Sequence, residues 1–234
     1  MKKMLALAVA AAAGSVATAG SNVNVGIDPG SANWLGFMNV YDLAGNFQFG
    51  SPWGVPDLVA NFDDGANTLT MSPNTIGDPN EYWYQGGRPG EDPNDPNDNG
   101  GPGAPGNKIM EANLYQEVAD GSLAGQTVTF SGNVLSYSLT DAHDVRVFIR
   151  DFEAGFASSI DTFVDVDAAG NFSISQSITN DATRIVQWGI QVEGVNVWVT
   201  DVDPFGSVVF QTIPAPGAMA LLGMGGVIAA RRRR

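Results

Sequence analysis

Five aromatic side chains, Trp34, Trp53, Tyr82, Trp83 and Tyr84, are the residues here best suited to stacking on the flat C–H face of a sugar ring. The run Tyr82-Trp83-Tyr84 is the densest group, and it admits two readings, a glycan contact or a piece of the hydrophobic core. Trp188 falls in phase with Val186 and Ile190 and reads as core. Just beyond the run, Asp92, Asp95, Asn97, Asp98 and Asn99 offer hard oxygen ligands of the kind calcium takes. Asp95-Pro96-Asn97-Asp98-Asn99-Gly100 even begins like an EF-hand loop, with oxygens at relative positions 1, 3 and 5 and glycine at 6. The position that needs a bidentate Glu is Gly106, so an EF-hand proper is excluded; a looser calcium site and a solvated loop both stay open.

Catalytic patterns are weaker. Asp151 and Glu153 stand two apart on one strand face, the arrangement a glycosidase carboxylate pair would use, but a chain with 25 Asp and Glu residues produces such pairs by chance. His143 is the one histidine and sits where a polar turn enters a strand, which suits a surface or turn role. Gly101-Pro102-Gly103-Ala104-Pro105-Gly106 matches G-x-G-x-x-G in letters alone, because prolines interrupt it and neither strand nor helix flanks it. With no cysteine, thiolate nucleophiles, disulfides and thiolate metal sites are all absent. No catalytic residue is assigned, the expectation is a non-enzymatic protein, and no cofactor is required beyond the candidate calcium.

The elements that must carry these residues are strands. Between residues 108 and 212, Val128 and Phe130, then Val145, Val147 and Ile149, then Phe172, Ile174 and Ile178, then Val186, Trp188, Ile190 and Val192, then Val195, Val197 and Val199 alternate with polar neighbours. Asp167-Ala168-Ala169-Gly170-Asn171 and Glu193-Gly194 supply turns. Around Gly132-Asn133 the apolar phase changes to Leu135, Tyr137 and Leu139, as a β-bulge would require. Residues 20–62 hold short apolar stretches parted by Asp28-Pro29-Gly30 and Ala44-Gly45-Asn46, and no sustained helical stripe. Residues 86–107 lack Val, Leu, Ile, Met and aromatics, so a disordered loop is predicted there. The expected fold is an all-β antiparallel sandwich over residues 20–212.

Both ends read as addresses. Lys2 and Lys3, the apolar run Met4 to Ala13 and the small residues Ala17-Thr18-Ala19 make a signal peptide over 1–19 for an export signal peptidase. At the other end come Pro214-Ala215-Pro216, an apolar run from Ala218 to Ala230 and Arg231, Arg232, Arg233 and Arg234. As a helix that run rises ~20 Å, short of the ~30 Å hydrocarbon core, so the arginines have to hold its cytoplasmic end.

Residues 213–234 resemble the PEP-CTERM sorting signal. The resemblance implies a transient membrane anchor and recognition by an exosortase; the family's Glu between the prolines is replaced here by Ala215. The strand and turn order of residues 108–212, with Thr127-Val128-Thr129-Phe130, Phe148-Ile149-Arg150-Asp151 and Gln187-Trp188-Gly189-Ile190, is similar to the jelly-roll fold of carbohydrate-binding modules.

Charge narrows the partners. The net charge is −14, and with the terminal Lys2, Lys3 and four arginines set aside, five basic residues face 25 acidic ones, a net of −20. Such a body is repelled by nucleic-acid phosphates. The leading expectation is an exported cell-surface or extracellular-matrix protein in contact with polysaccharide. A dedicated carbohydrate-binding module is the alternative, and a glycoside hydrolase ranks third.

Overall fold

A strand with one apolar face buries it by laying that face on a second sheet, and two sheets do so here. The computed structural model describes residues 20–213, so the signal-peptide reading of 1–19 and the sorting tail with Pro214, Ala215, Pro216 and Arg231 to Arg234 lie outside the described residues. The strands are β1 (Asn22–Val25), β2 (Leu35–Asp42), β3 (Phe47–Trp53), β4 (Ala60–Asp63), β5 (Thr68–Met71), β6 (Thr75–Ile76) and β7 (Lys108–Val118). They continue with β8 (Thr127–Tyr137), β9 (His143–Phe152), β10 (Ser159–Asp165), β11 (Gly170–Ser177), β12 (Ile185–Val195), β13 (Val197–Trp198) and β14 (Val208–Gln211).

The first sheet runs β1-β8-β14-β5-β4, with β11 also paired to β8. The second runs β10-β9-β12-β7-β2-β3 and is antiparallel throughout. Two pairings are parallel, β1 with β8 and the short β6 with β13. Strands before residue 108 thus complete both sheets, rather than preceding a sandwich made by 108–212. Between the sheets lies one apolar core, in which Phe130, Phe172, Ile174, Phe210 and Met71 meet Val147, Ile149, Trp188, Ile190, Met110 and Met38. Among the described residues no helix is long and apolar enough to cross a membrane.

Two sequence expectations change. The phase shift comes later than Gly132-Asn133: Val134 keeps the first inward phase and Leu135 is exposed, after which Tyr137 packs on the core and Leu139 is buried, as predicted. The irregularity falls instead where β14 meets β8, between Val209 and Phe210. Gly132 serves another purpose, because a Cβ there would come within 2.6 Å of the Phe172 ring.

Residues 86–107 are also not disordered. A bridge between Tyr84 and Gly106 closes the loop at its base, and backbone bonds such as Glu81 N–H to Pro96 O (2.7 Å) and Gln85 N–H to Pro105 O (2.9 Å) pin it. Side chains do the rest: Asp92 and Asp95 accept from the N–H groups of Asn94 and Asn97, and Asp98 pairs with Arg88. Composition predicted no core to order this loop, and polar turn chemistry supplies the order instead.

Candidate functional site

The aromatic residues singled out by sequence do not assemble into one surface. Trp34 is 4% exposed, packs at 5.9 Å on Phe62 and donates its Nε1–H to Asp28 O, so it is core and not a glycan contact. Tyr84 is core as well; its hydroxyl reaches the carbonyls of Ile76 and Val197, and burial pushes its pKa up to about 12. Trp83 is half-buried between Phe49 and Tyr82. Tyr82 is exposed, with the Lys108 ammonium 4.2 Å from its ring centre. Trp53 stands apart, lining a shallow cavity of about 500 Å³ with Pro52, Gly54, Pro56, Asp57 and Thr75.

The candidate calcium ligands are likewise not gathered. Asp92 and Asp95 cap local turns, Asn97 bonds Asp95 and Asn80, Asp98 is held by Arg88 and by Asp92 N–H, and Asn99 donates to Pro96 O. Among the described residues no three His, Cys, Asp or Glu side chains converge as a metal site would need.

Asp151 and Glu153 part company too. Asp151 points into the core, is fully buried and accepts from Arg184 Nε (2.7 Å), Thr179 N–H (2.9 Å) and Thr179 Oγ1 (2.7 Å), while Glu153 is exposed. Burial acts to raise the Asp151 pKa, but the Arg184 and Thr179 bonds outweigh it and hold the carboxyl below its ordinary value. His143 is buried rather than in a surface turn: it is 2% exposed, its Nε2 lies 3.0 Å from Val195 O, and Phe205 packs edge-on against it. Burial lowers its pKa.

What the fold does assemble is a platform on the outer face of the second sheet. Alternation sends Arg146, Phe148 and Arg150 of β9 outward beside Gln187, Gly189, Gln191 and Glu193 of β12. Next to them stand Glu111, Asn113, Tyr115 and Glu117 of β7, then Phe37, Asn39 and Tyr41 of β2. Phe148 is 0% exposed yet stands outside the apolar core cluster, and Gln191 is 1% exposed. Arg150 covers the Phe148 ring, and Gln191 is bonded to Asn113.

The network is specific. Glu111 Oε1 accepts from Asn39 Nδ2 (2.8 Å) and Asn113 Nδ2 (3.0 Å), Asn113 Oδ1 accepts from Gln191 Nε2 (2.9 Å), and Gln187 Nε2 donates to Glu117 (2.7 Å). The Arg150 guanidinium lies 4.1 Å from the Phe148 ring centre and 5.4 Å from that of Phe163 on β10. Gln191 Oε1 is buried with no partner. Burial raises the pKa of Glu193; Arg146 partly offsets this, and Glu111 and Asp144 push it higher. Tyr41 is raised by burial and then by Glu111 and Glu193.

Sequence reasoning missed these residues because it followed the inward phase. The outward phase carried the signal: Arg146, Phe148 and Arg150, or Glu111, Asn113 and Tyr115, are longer than a merely wetted sheet face needs. Planar amides, carboxylates and rings on one open face can hydrogen-bond a polyhydroxylated ligand while covering its apolar side.

No family model matches the chain, and no curated protein matches it in sequence. Several solved structures resemble it distantly. The CBM22-1-GH10 modules of Clostridium thermocellum endo-1,4-β-D-xylanase 10B with xylohexaose are 12% identical over 45% of this chain, at a TM-score of 0.28, and the chain spans 21% of that structure. TmCBM61 with β-1,4-galactotriose is 13% identical over 76% of this chain and 83% of its own, at 0.32. A structure from a study of promiscuous carbohydrate-binding modules of the β-sandwich super family is 15% identical over 80% and 74%, at 0.33. Likenesses of this size leave the site to be argued from the chain's own residues.

Proposed function

We propose that this chain is an exported, non-catalytic protein whose sandwich binds a glycan on the outer face of its second sheet. The observation that carries this is a row of buried, hydrogen-bonding side chains on an open face, in which Gln191 Oε1 lacks a donor. A buried acceptor without a partner costs about 1–3 kcal/mol, and a sugar hydroxyl arriving at the platform would offset that. The half-buried Tyr115 and Phe37 supply the apolar surface that sugar C–H faces cover. The terminal patterns support delivery: a signal peptidase would remove residues 1–19, and the Pro214-Ala215-Pro216 tail with its arginines would hold the body transiently at the membrane for an exosortase. The destination in this reading is the cell surface or the extracellular matrix.

Titration of the purified protein with a panel of defined oligosaccharides by calorimetry tests the binding. At least one should bind, and Asn113→Ala with Gln191→Ala should weaken it about tenfold or more, a loss of about 1.4 kcal/mol. Binding that survives the double substitution would place the site elsewhere, and the absence of any bound oligosaccharide would remove the reading.

A further inference from the structure

Resting on that glycan-binding reading, we infer that the part of the platform around Glu111 and Glu193 recognises a sugar bearing a free amino group. Register sets three carboxylates in a single row across three adjacent strands: Glu193 of β12 stands opposite Asp144 of β9 on one side and opposite Glu111 of β7 on the other. Like charges directly opposite one another destabilise a sheet. Two cations stand near the row: Arg146 makes a long contact with Glu193, at 3.5 Å, and Arg150, whose charge also acts on Glu111, contacts Asp161 on β10 at 3.7 Å, which leaves three carboxylates facing two guanidinium groups. The three acids do not converge as metal ligands among the described residues, so a compact divalent ion is a poor fit.

The hydrogen-bond inventory points the same way. Glu111 is already served by Asn39 and Asn113. Glu193 receives the long Arg146 contact, and Gln191 Oε1, two residues earlier on the same face of β12 and 1% exposed, receives nothing. The local surplus is therefore of acceptors and of negative charge. An ammonium is a donor-only cation and supplies both of the missing properties at once. A hydroxyl would bring a donor without charge, and a uronate would add charge of the wrong sign.

The neighbouring row provides the apolar wall that a sugar ring needs. Tyr41 meets Phe47 edge-on at 5.7 Å, and Phe47 is 60% exposed. An amino sugar lying on these rings would direct its ammonium to the adjacent carboxylate row, where the ring faces also favour a cation.

Calorimetry of the full purified protein, at mildly acidic pH and physiological salt, tests this with glucosamine oligomers, their N-acetylated counterparts, glucose oligomers and oligogalacturonate. Glucosamine oligomers should bind about tenfold or more tighter than the N-acetylated and glucose oligomers, and oligogalacturonate weakest. Glu111→Gln with Glu193→Gln, and Glu193→Gln alone, should collapse the ratio between the amino and N-acetylated ligands. Asp64→Asn with Asp203→Asn removes two exposed charges away from the platform and should keep that ratio, which separates local recognition from attraction to an acidic body. Equal binding of amino, N-acetylated and neutral oligomers would overturn the inference and leave the glycan reading standing. A preference that survives the paired Gln substitutions would overturn it as well. Should none of the oligomers bind, the inference falls together with the reading beneath it.

Discussion

The outer faces of the two sheets occupy equivalent places in the sandwich and are built from different materials. On the first sheet, Thr129, Ser131 and Asn133 of β8 face outward beside Ser175, Ser173 and Asn171 of β11, short polar side chains that are half-buried or exposed. On the second, the outward positions hold Arg146, Phe148, Arg150, Gln187, Gln191, Asn113 and Tyr115, and several are as buried as the core. Short hydroxyls meet water at little entropic cost. Long side chains locked into a mutual network lose more rotamer freedom, up to about 2 kcal/mol each, and leave Gln191 Oε1 without a partner. In the proposed reading, a ligand accounts for a face kept in that condition.

Stability measurements can break this contrast. The largest effect is expected from Phe148→Ala, which removes a fully buried ring from beneath Arg150 and should cost about 3 kcal/mol in urea unfolding. Ser175→Ala, at the matching place on the first sheet, loses one exposed hydrogen bond with Thr129 and should stay within about 0.5 kcal/mol. Equal small effects would mean that the two outer faces do not differ in kind. Gln191→Met sharpens the point, because it exchanges the partnerless acceptor for an apolar chain of similar length while stripping the Asn113 bond. Its stability should move by less than about 1 kcal/mol, and glycan affinity should nevertheless fall.

The smallest effect concerns pH. Burial, followed by Glu111 and Asp144, raises the Glu193 pKa in the fold, so the folded state holds this proton more tightly than the unfolded chain does. The resulting stabilisation is fully present below the unfolded Glu value and is lost as pH rises through the folded one. The melting temperature of wild type relative to Glu193→Gln should therefore rise on acidification through the carboxylate range. An unchanged difference would mean that the row is too well solvated to matter.

Much of the core was legible from alternation. Phe130, Val147, Ile149, Phe172, Ile174, Trp188 and Ile190 are all buried as the inward phase predicts, because a period of two is a local property of extended backbone. The candidate site was scarcely legible. Trp34 and Tyr84 attracted attention as large aromatics, yet size argues for burial at least as strongly as for binding. The acidic loop suggested a calcium site until its carboxylates were found committed to turns and to Arg88.

The sequence by itself determined which side chains of each strand share a face, since neighbours along the backbone must alternate. It also carried the acidity of the body and the patterns at its two ends. Only the tertiary structure decided which faces lie side by side: Glu111 meets Glu193 and Asn39 because β7 sits between β12 and β2, a pairing across long stretches of chain. Strand periodicity says nothing about partner or register, which are selected by the packing of the whole core. The same holds for residues 86–107, whose order depends on Arg88, Asp98 and the Tyr84–Gly106 bridge acting together rather than on composition.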